Sequence, residues 1–155
     1  MTRLLPVLIF TLCSCITNSN IDPIEKKATQ TVVTESSFKL TFKALKAVLR
    51  AQTLVIDQQD FDEGKITASF PRTQESKDKA KKLGFSAAEY NSELVEFNFT
   101  MKPISDETTS TNLLVFKQNK TAGGHIKRTE IVKQKVFKNF FQLLKTEIHK
   151  RKKLP

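Results

Sequence analysis

Apolar residues recur at helical spacing in two long stretches of the chain and alternate with polar residues in several short ones. Phe38, Phe42, Leu45 and Leu49 repeat at the helical period, with Val48 alongside, while Lys39, Lys43, Lys46 and Arg50 fall largely off that stripe. Ser36-Ser37 stand just ahead, where a hydroxyl can accept from the first unpaired amides. The pattern predicts an amphipathic helix from about Ser37 to Gln52. Thr53 to Asp57 is β-rich, Asp62-Glu63-Gly64 is a turn signal, and Ile66, Ala68 and Phe70 then alternate with Lys65, Thr67 and Ser69. A hairpin with Gln58 to Gly64 as its loop is expected.

Pro71 to Ser92 has no convincing apolar face, and a mobile excursion from the sheet is expected there. Lys77, Lys79, Lys81 and Lys82 read as a solvated face of a short helical turn, with a binding patch as the alternative. Leu94 to Met101 alternates as a strand that Pro103 should end. Thr111 to Gln118 predicts the next, burying either Leu113 and Val115 or Leu114 and Phe116. Gly123-Gly124 marks a reversal before a short strand at His125 to Glu130. From about Glu130, Val132, Val136, Phe140, Leu144 and Ile148 sit four apart and predict a long helix to the end of the chain. Together these elements predict one α+β domain over residues 36–150, a curved antiparallel sheet with two helices packed on one face. Residues 151–155 form a basic tail.

The start of the chain has a different character. Met1-Thr2-Arg3 is basic, and Leu4 to Leu12 is an apolar run too short for a bilayer core, which needs about 20 residues. A basic start, a short apolar run and small residues describe an export signal. The segment then continues as Leu12-Cys13-Ser14-Cys15. This resembles the lipobox of bacterial lipoproteins, with Leu12 at −3, Ser14 at −1 and Cys15 at +1. The resemblance implies cleavage between Ser14 and Cys15, so that residues 1–14 are a signal peptide. It also implies a diacylglycerol on the Cys15 sulfur and acylation of the new amino terminus. One acyl chain holds only marginally, at about 0.8 kcal/mol per methylene, so two or three would anchor the protein stably. An ordinary secretory signal cut near Cys15 is the alternative. Residues 15–35 are polar and interrupted by Pro23, and read as a lipidated cysteine followed by a flexible tether. A short strand at Thr31 to Thr34 competes with that reading. Ile16, rather than Asp, follows Cys15, and by the sorting rules of some bacteria the lipoprotein resemblance then implies delivery to the periplasmic face of the outer membrane.

Composition narrows the chemistry. The chain has two cysteines, both in the leader region, two histidines and no tryptophan, which excludes a disulfide-dense scaffold or a Cys-rich zinc module. Four glycines make a Gly-rich nucleotide loop improbable. His125 and His149 lack the spacing of a metal pair, and no nucleophile-elbow sequence accompanies His125. Asp57, Asp60, Asp62 and Glu63 share one loop without the bidentate glutamate that a calcium loop needs. No catalytic residue, metal or cofactor is expected.

Lys and Arg number 26 against 16 Asp and Glu, a net charge of +10. Lys150, Arg151, Lys152 and Lys153 are the densest run and could touch an anionic surface such as lipid headgroups, or be a solvated helix end. No aromatic-interleaved basic motif points to nucleic acid.

The order of elements carries a second resemblance, together with Phe42-Lys43-Ala44-Leu45, Asp62 to Ala68 and Val136 to Phe141. It is similar to small bacterial envelope lipoproteins with a helix-grip-like domain, among them the C-type lipoprotein subunit of the outer-membrane β-barrel assembly machine. That resemblance spans most of Ser36 to His149. The expected function is a membrane-anchored, non-catalytic accessory or protein-interaction module of the envelope, with an envelope protein as partner. The alternative is a periplasmic carrier of a lipid or small apolar ligand, with Phe70, Phe97, Phe99 and Phe116 lining a cavity.

Overall fold

The computed structural model describes residues 29–153. Six strands run β1 (Thr31–Thr34), β2 (Val55–Asp60), β3 (Lys65–Ser69), β4 (Leu94–Ser105), β5 (Thr108–Lys120) and β6 (Ile126–Glu130). Four helices are α1 (Phe38–Ala51), α2 (Gln74–Leu83), α3 (Ala87–Tyr90) and α4 (Gln134–Lys152). The sheet is antiparallel, in the order β1-β5-β4-β3-β2, and β6 also pairs with β5. The class is α+β, with the helices gathered on one face of the sheet.

Alternation decides which side of each strand is buried. Ile66 and Ala68 on β3, Val95, Phe97, Phe99 and Met101 on β4, and Leu113 and Val115 on β5 all turn inward. They meet Phe42, Leu45 and Leu49 of α1 and Val136, Phe137, Phe140 and Leu144 of α4 in one continuous core. Of the two registers open for β5, the structure takes Leu113 and Val115, leaving Leu114 and Phe116 half-buried on the other face.

Helix α1 starts where expected, with the Ser37 hydroxyl accepting from the Leu40 amide at 3.4 Å. It ends without a glycine. Thr53 takes φ +60°, its amide donates to Arg50, and the Leu54 amide donates back to Leu49. This is a Schellman-type stop on a β-branched residue, a strained choice. The Thr53 hydroxyl offsets part of that strain through a 3.0 Å bond to the buried Ser76 hydroxyl on α2.

Pro71 to Ser92 is not a mobile excursion. It holds α2 and α3 and buries Ala80, Leu83, Phe85 and Tyr90. Local caps supply what the apolar pattern lacked: Thr73 at the start of α2, Gly84 at φ +111° at its end, and a reciprocal Ser86–Glu89 capping box on α3. The Tyr90 hydroxyl reaches the carbonyls of Pro71 and Thr73 at 3.0 and 2.9 Å, closing the segment on itself. Asn139 of α4 donates to the Leu83 carbonyl at 3.2 Å, which ties α2 to the long helix.

Four boundaries also move. Thr31–Thr34 is an edge strand paired with Thr109 to Asn112, so the folded body reaches into the segment read as tether. Pro103 does not end β4. The Met101 amide donates toward β3 at the Gly64 carbonyl, and Pro103, two residues later, lies past the last β3–β4 pair at Thr100, so its missing N–H removes no bond from that ladder. Helix α4 begins at Gln134 rather than about Glu130, because Glu130 still pairs with Phe116 in the sheet. At its other end it runs through Arg151 and Lys152, so the helix takes in the start of the expected basic tail.

Candidate docking surfaces

Ser14 and Cys15, the expected cleavage and lipid-attachment residues, lie outside the described residues. The basic run at the end of the chain is the last turn of α4, and two of its cations have partners. Arg151 donates to Glu147 at 2.7 Å, one helical turn back, and Lys152 donates to the Glu35 carbonyl ahead of α1. That second contact sets the end of α4 beside the start of α1. Lys150 and Lys153 are exposed. Cations here also complement the negative end of the helix dipole.

His125 is exposed at the turn between β5 and β6, and His149 is exposed on α4. The acidic residues of the β2–β3 loop are built into its turn: Asp60 accepts from the Glu63 amide at 2.9 Å, and Glu63 pairs with Lys65. Among the described residues, no three His, Cys, Asp or Glu side chains are grouped to hold a metal. No described helix is long and apolar enough to cross a membrane.

The four phenylalanines of the expected cavity do not line one space. Phe97 and Phe99 are fully buried and sit 6.2 and 5.1 Å, centroid to centroid, from Phe140 of α4. Phe70 packs edge-on to Phe97 at 5.3 Å and to Phe85 at 5.9 Å. Phe116 is on the opposite face. Rings fill the volume between sheet and helices, and the larger concavities are open grooves. One of about 520 Å³ lies between β1 and α4, walled by Val32, Lys138, Phe141 and Lys145, with Thr29 at its edge.

Two surfaces remain. The first is the outer side of the helix layer. Lys39, Lys43, Lys46 and Arg50 follow each other at steps of four, three and four along α1, which places them in one narrow arc. Thr41, Ala44, Leu45 and Val48 are buried on the opposite side, and α1 carries no acidic residue. On α4, Lys135, Lys138, Lys145 and Lys150 are exposed, and the helix's one acid is Glu147. Sequence reading noted the α1 cations only as residues off the apolar stripe. Their spacing without any intervening acid was the signal that marked them as a surface.

The second is the outer face of the sheet, which no described helix covers. Phe116 of β5 pairs with Glu96 of β4 on one side and Glu130 of β6 on the other. Arg128 lies over the Phe116 ring, 3.7 Å from its centroid, and pairs with Glu96. Glu96 also accepts from Asn98 at 2.7 Å and from Gln118 at 3.2 Å. Its charge is therefore held by three donors in fixed positions. The Arg128 side chain stays 46% exposed above an aromatic ring, with half-buried Leu114 one step along the same strand face. Arg and aromatic side chains held this way are the residue types that dominate protein interfaces. Sequence reading missed this cluster, because Arg128 and Glu96 are far apart in the chain and meet only through the β4-β5-β6 register.

No protein-family model matches this chain, and no curated protein matches it.

Proposed function

We propose that the chain is a lipid-anchored module of a bacterial envelope that binds another protein and does no chemistry of its own. The observation that carries this reading is the ring-packed interior. Phe97, Phe99, Phe137 and Phe140 are each at most 1% exposed, so the body offers surfaces to a partner, and an apolar ligand would have to displace side chains to enter. The Leu12-Cys13-Ser14-Cys15 sequence supports the anchor, and the Arg128–Phe116–Glu96 cluster supports a protein contact on the sheet face.

The test joins both parts. Cys15→Ser should abolish labelling by a fatty-acid probe and leave unprocessed precursor in the cell. A photo-crosslinking residue at Leu114 should capture a defined envelope protein in intact cells, and Arg128→Ala should weaken that capture. Normal labelling of Cys15→Ser would remove the anchor. Capture unchanged by Arg128→Ala would remove the sheet face as the contact.

A further inference from the structure

We infer that the outer side of the α1–α4 layer is a docking face for anionic lipid headgroups and sets how the protein lies on its membrane. This rests on the anchored reading above and adds an orientation to it. Charge on α1 and α4 is one-sided. The α1 stripe of Lys39, Lys43, Lys46 and Arg50 has no acid on its helix, and Glu147 of α4 is engaged by Arg151. Acids stand elsewhere: at and around the hairpin turns, as Asp60, Asp62, Glu63, Asp106 and Glu107, on the strands as Asp57, Glu96 and Glu130, in the segment of α2 and α3 as Glu75, Asp78, Glu89 and Glu93, and at Glu35 ahead of α1. The two helices lie beside each other, so their outer sides form one broad cationic surface, about 20 to 30 Å long at 1.5 Å per residue.

Three features select a bilayer as the occupant. The surface is broad and lysine-rich, and lysines act as point charges suited to a fluid array of phosphates, whereas bidentate recognition of a fixed site favours arginine. None of the exposed aromatic rings that stack nucleic-acid bases stands on the α1 stripe or the exposed side of α4. The described chain begins at Thr29, which borders the groove walled by Lys138 and Lys145 of α4. The described body is therefore joined to the segment that bears Cys15 at a point beside this face. With the helices on the headgroups, the Arg128–Phe116 cluster on the other side of the sheet points into the aqueous space.

The test uses the full chain carrying Cys15→Ser, which cannot be acylated; its apolar leader is common to every variant and both vesicle types, so the differences among them are independent of the anchor. Flotation is measured with vesicles of phosphatidylcholine alone and of phosphatidylcholine mixed with phosphatidylglycerol. The chain should prefer the anionic vesicles, and the preference should fall as salt rises. One variant replaces Lys39, Lys43, Lys46 and Arg50 by Gln, and a control replaces Lys102, Lys117, Lys120 and Lys127 by Gln. Each lysine near the surface is worth about fivefold in partitioning, so the α1 variant should lose roughly a hundredfold or more and the control far less. Circular dichroism melting checks that both fold. Should the α1 variant be unfolded, Lys138→Gln with Lys145→Gln on α4 serves in its place. No preference for anionic vesicles, equal losses in both variants, or binding to nucleic acid without binding to vesicles would overturn the inference. Fatty-acid labelling of the wild type tests the anchor separately, so either can fail while the other stands.

Discussion

Arg128 lies over Phe116 with its guanidinium carbon 3.7 Å from the ring centroid, and the same side chain pairs with Glu96 two strands away. The contact sits on the open face of the sheet, with Arg128 still 46% exposed. A double-mutant cycle of Arg128→Ala and Phe116→Ala, read by urea denaturation, should give a coupling of about 0.5–1 kcal/mol, the range for exposed cation–π pairs. A coupling of zero would mean that the two side chains do not hold each other in solution.

Thr111 is fully buried on the inner face of β5, and its hydroxyl has no hydrogen-bond partner among the described residues. An unpaired buried hydroxyl forfeits its hydration without recompense. Thr111→Val keeps the shape and removes that loss, so it should stabilise the fold by about 1 kcal/mol. Destabilisation of similar size would show that the hydroxyl is bonded.

Gly64 and Gly124 both have positive φ, at +66° and +80°, but their surroundings differ. A Cβ on Gly64 would stand 2.2 Å from the Met101 carbonyl oxygen, at the point where the β2–β3 turn meets β4. A Cβ on Gly124 would meet nothing within 4 Å. Gly64→Ala should therefore cost well over 2 kcal/mol, through strain and collision together. Gly124→Ala should cost only about 1 kcal/mol, the left-handed penalty alone. Equal melting temperatures for the two variants would contradict this placement of Gly64.

Glu89 couples α3 to the entry of α4. Burial pushes its carboxyl up, but donors outweigh that: Lys133 at 2.6 Å and the Ser86 amide and hydroxyl hold it below its ordinary value of 4.5. A carboxylate depressed in the folded state stabilises the protein above its unfolded pKa, and the gain fades as pH falls through the lowered folded value. The wild type should thus be more stable than Glu89→Gln at neutral pH, with the difference shrinking below about pH 4.5. A difference constant from pH 7 to pH 3 would remove the charge from the account.

Where one face of an element is largely apolar, the chain announced its structure. Phe38 to Leu49, Ile66 to Phe70, Val95 to Met101 and Val136 to Ile148 are of this kind, and each is a helix or strand near its expected bounds. The segment from Pro71 to Ser92 was illegible because its buried residues, Ala80, Leu83, Phe85 and Tyr90, are split among two short helices and a linker. On α2 the buried positions do recur at helical spacing, but two of the three are Ser76 and Ala80, too weakly apolar to mark a face, and α3 is a single turn. Its order comes from caps and from the Tyr90 hydroxyl. The strand at Thr31 to Thr34 is short, and its partner lies far along the chain at Thr109 to Asn112, so only the register settles it. For the surfaces, the α1 cations were readable from spacing alone. The Arg128–Glu96 pair was not, since it depends on which strands become neighbours.

Mass spectrometry of the amino-terminal peptide, taken from protein purified out of envelopes, tests the lipid-anchored reading most directly. The account predicts a peptide that begins at Cys15 and carries the added mass of a diacylglycerol with a further acyl chain. A peptide with a free Cys15 thiol, or one that still begins at Met1, would contradict it.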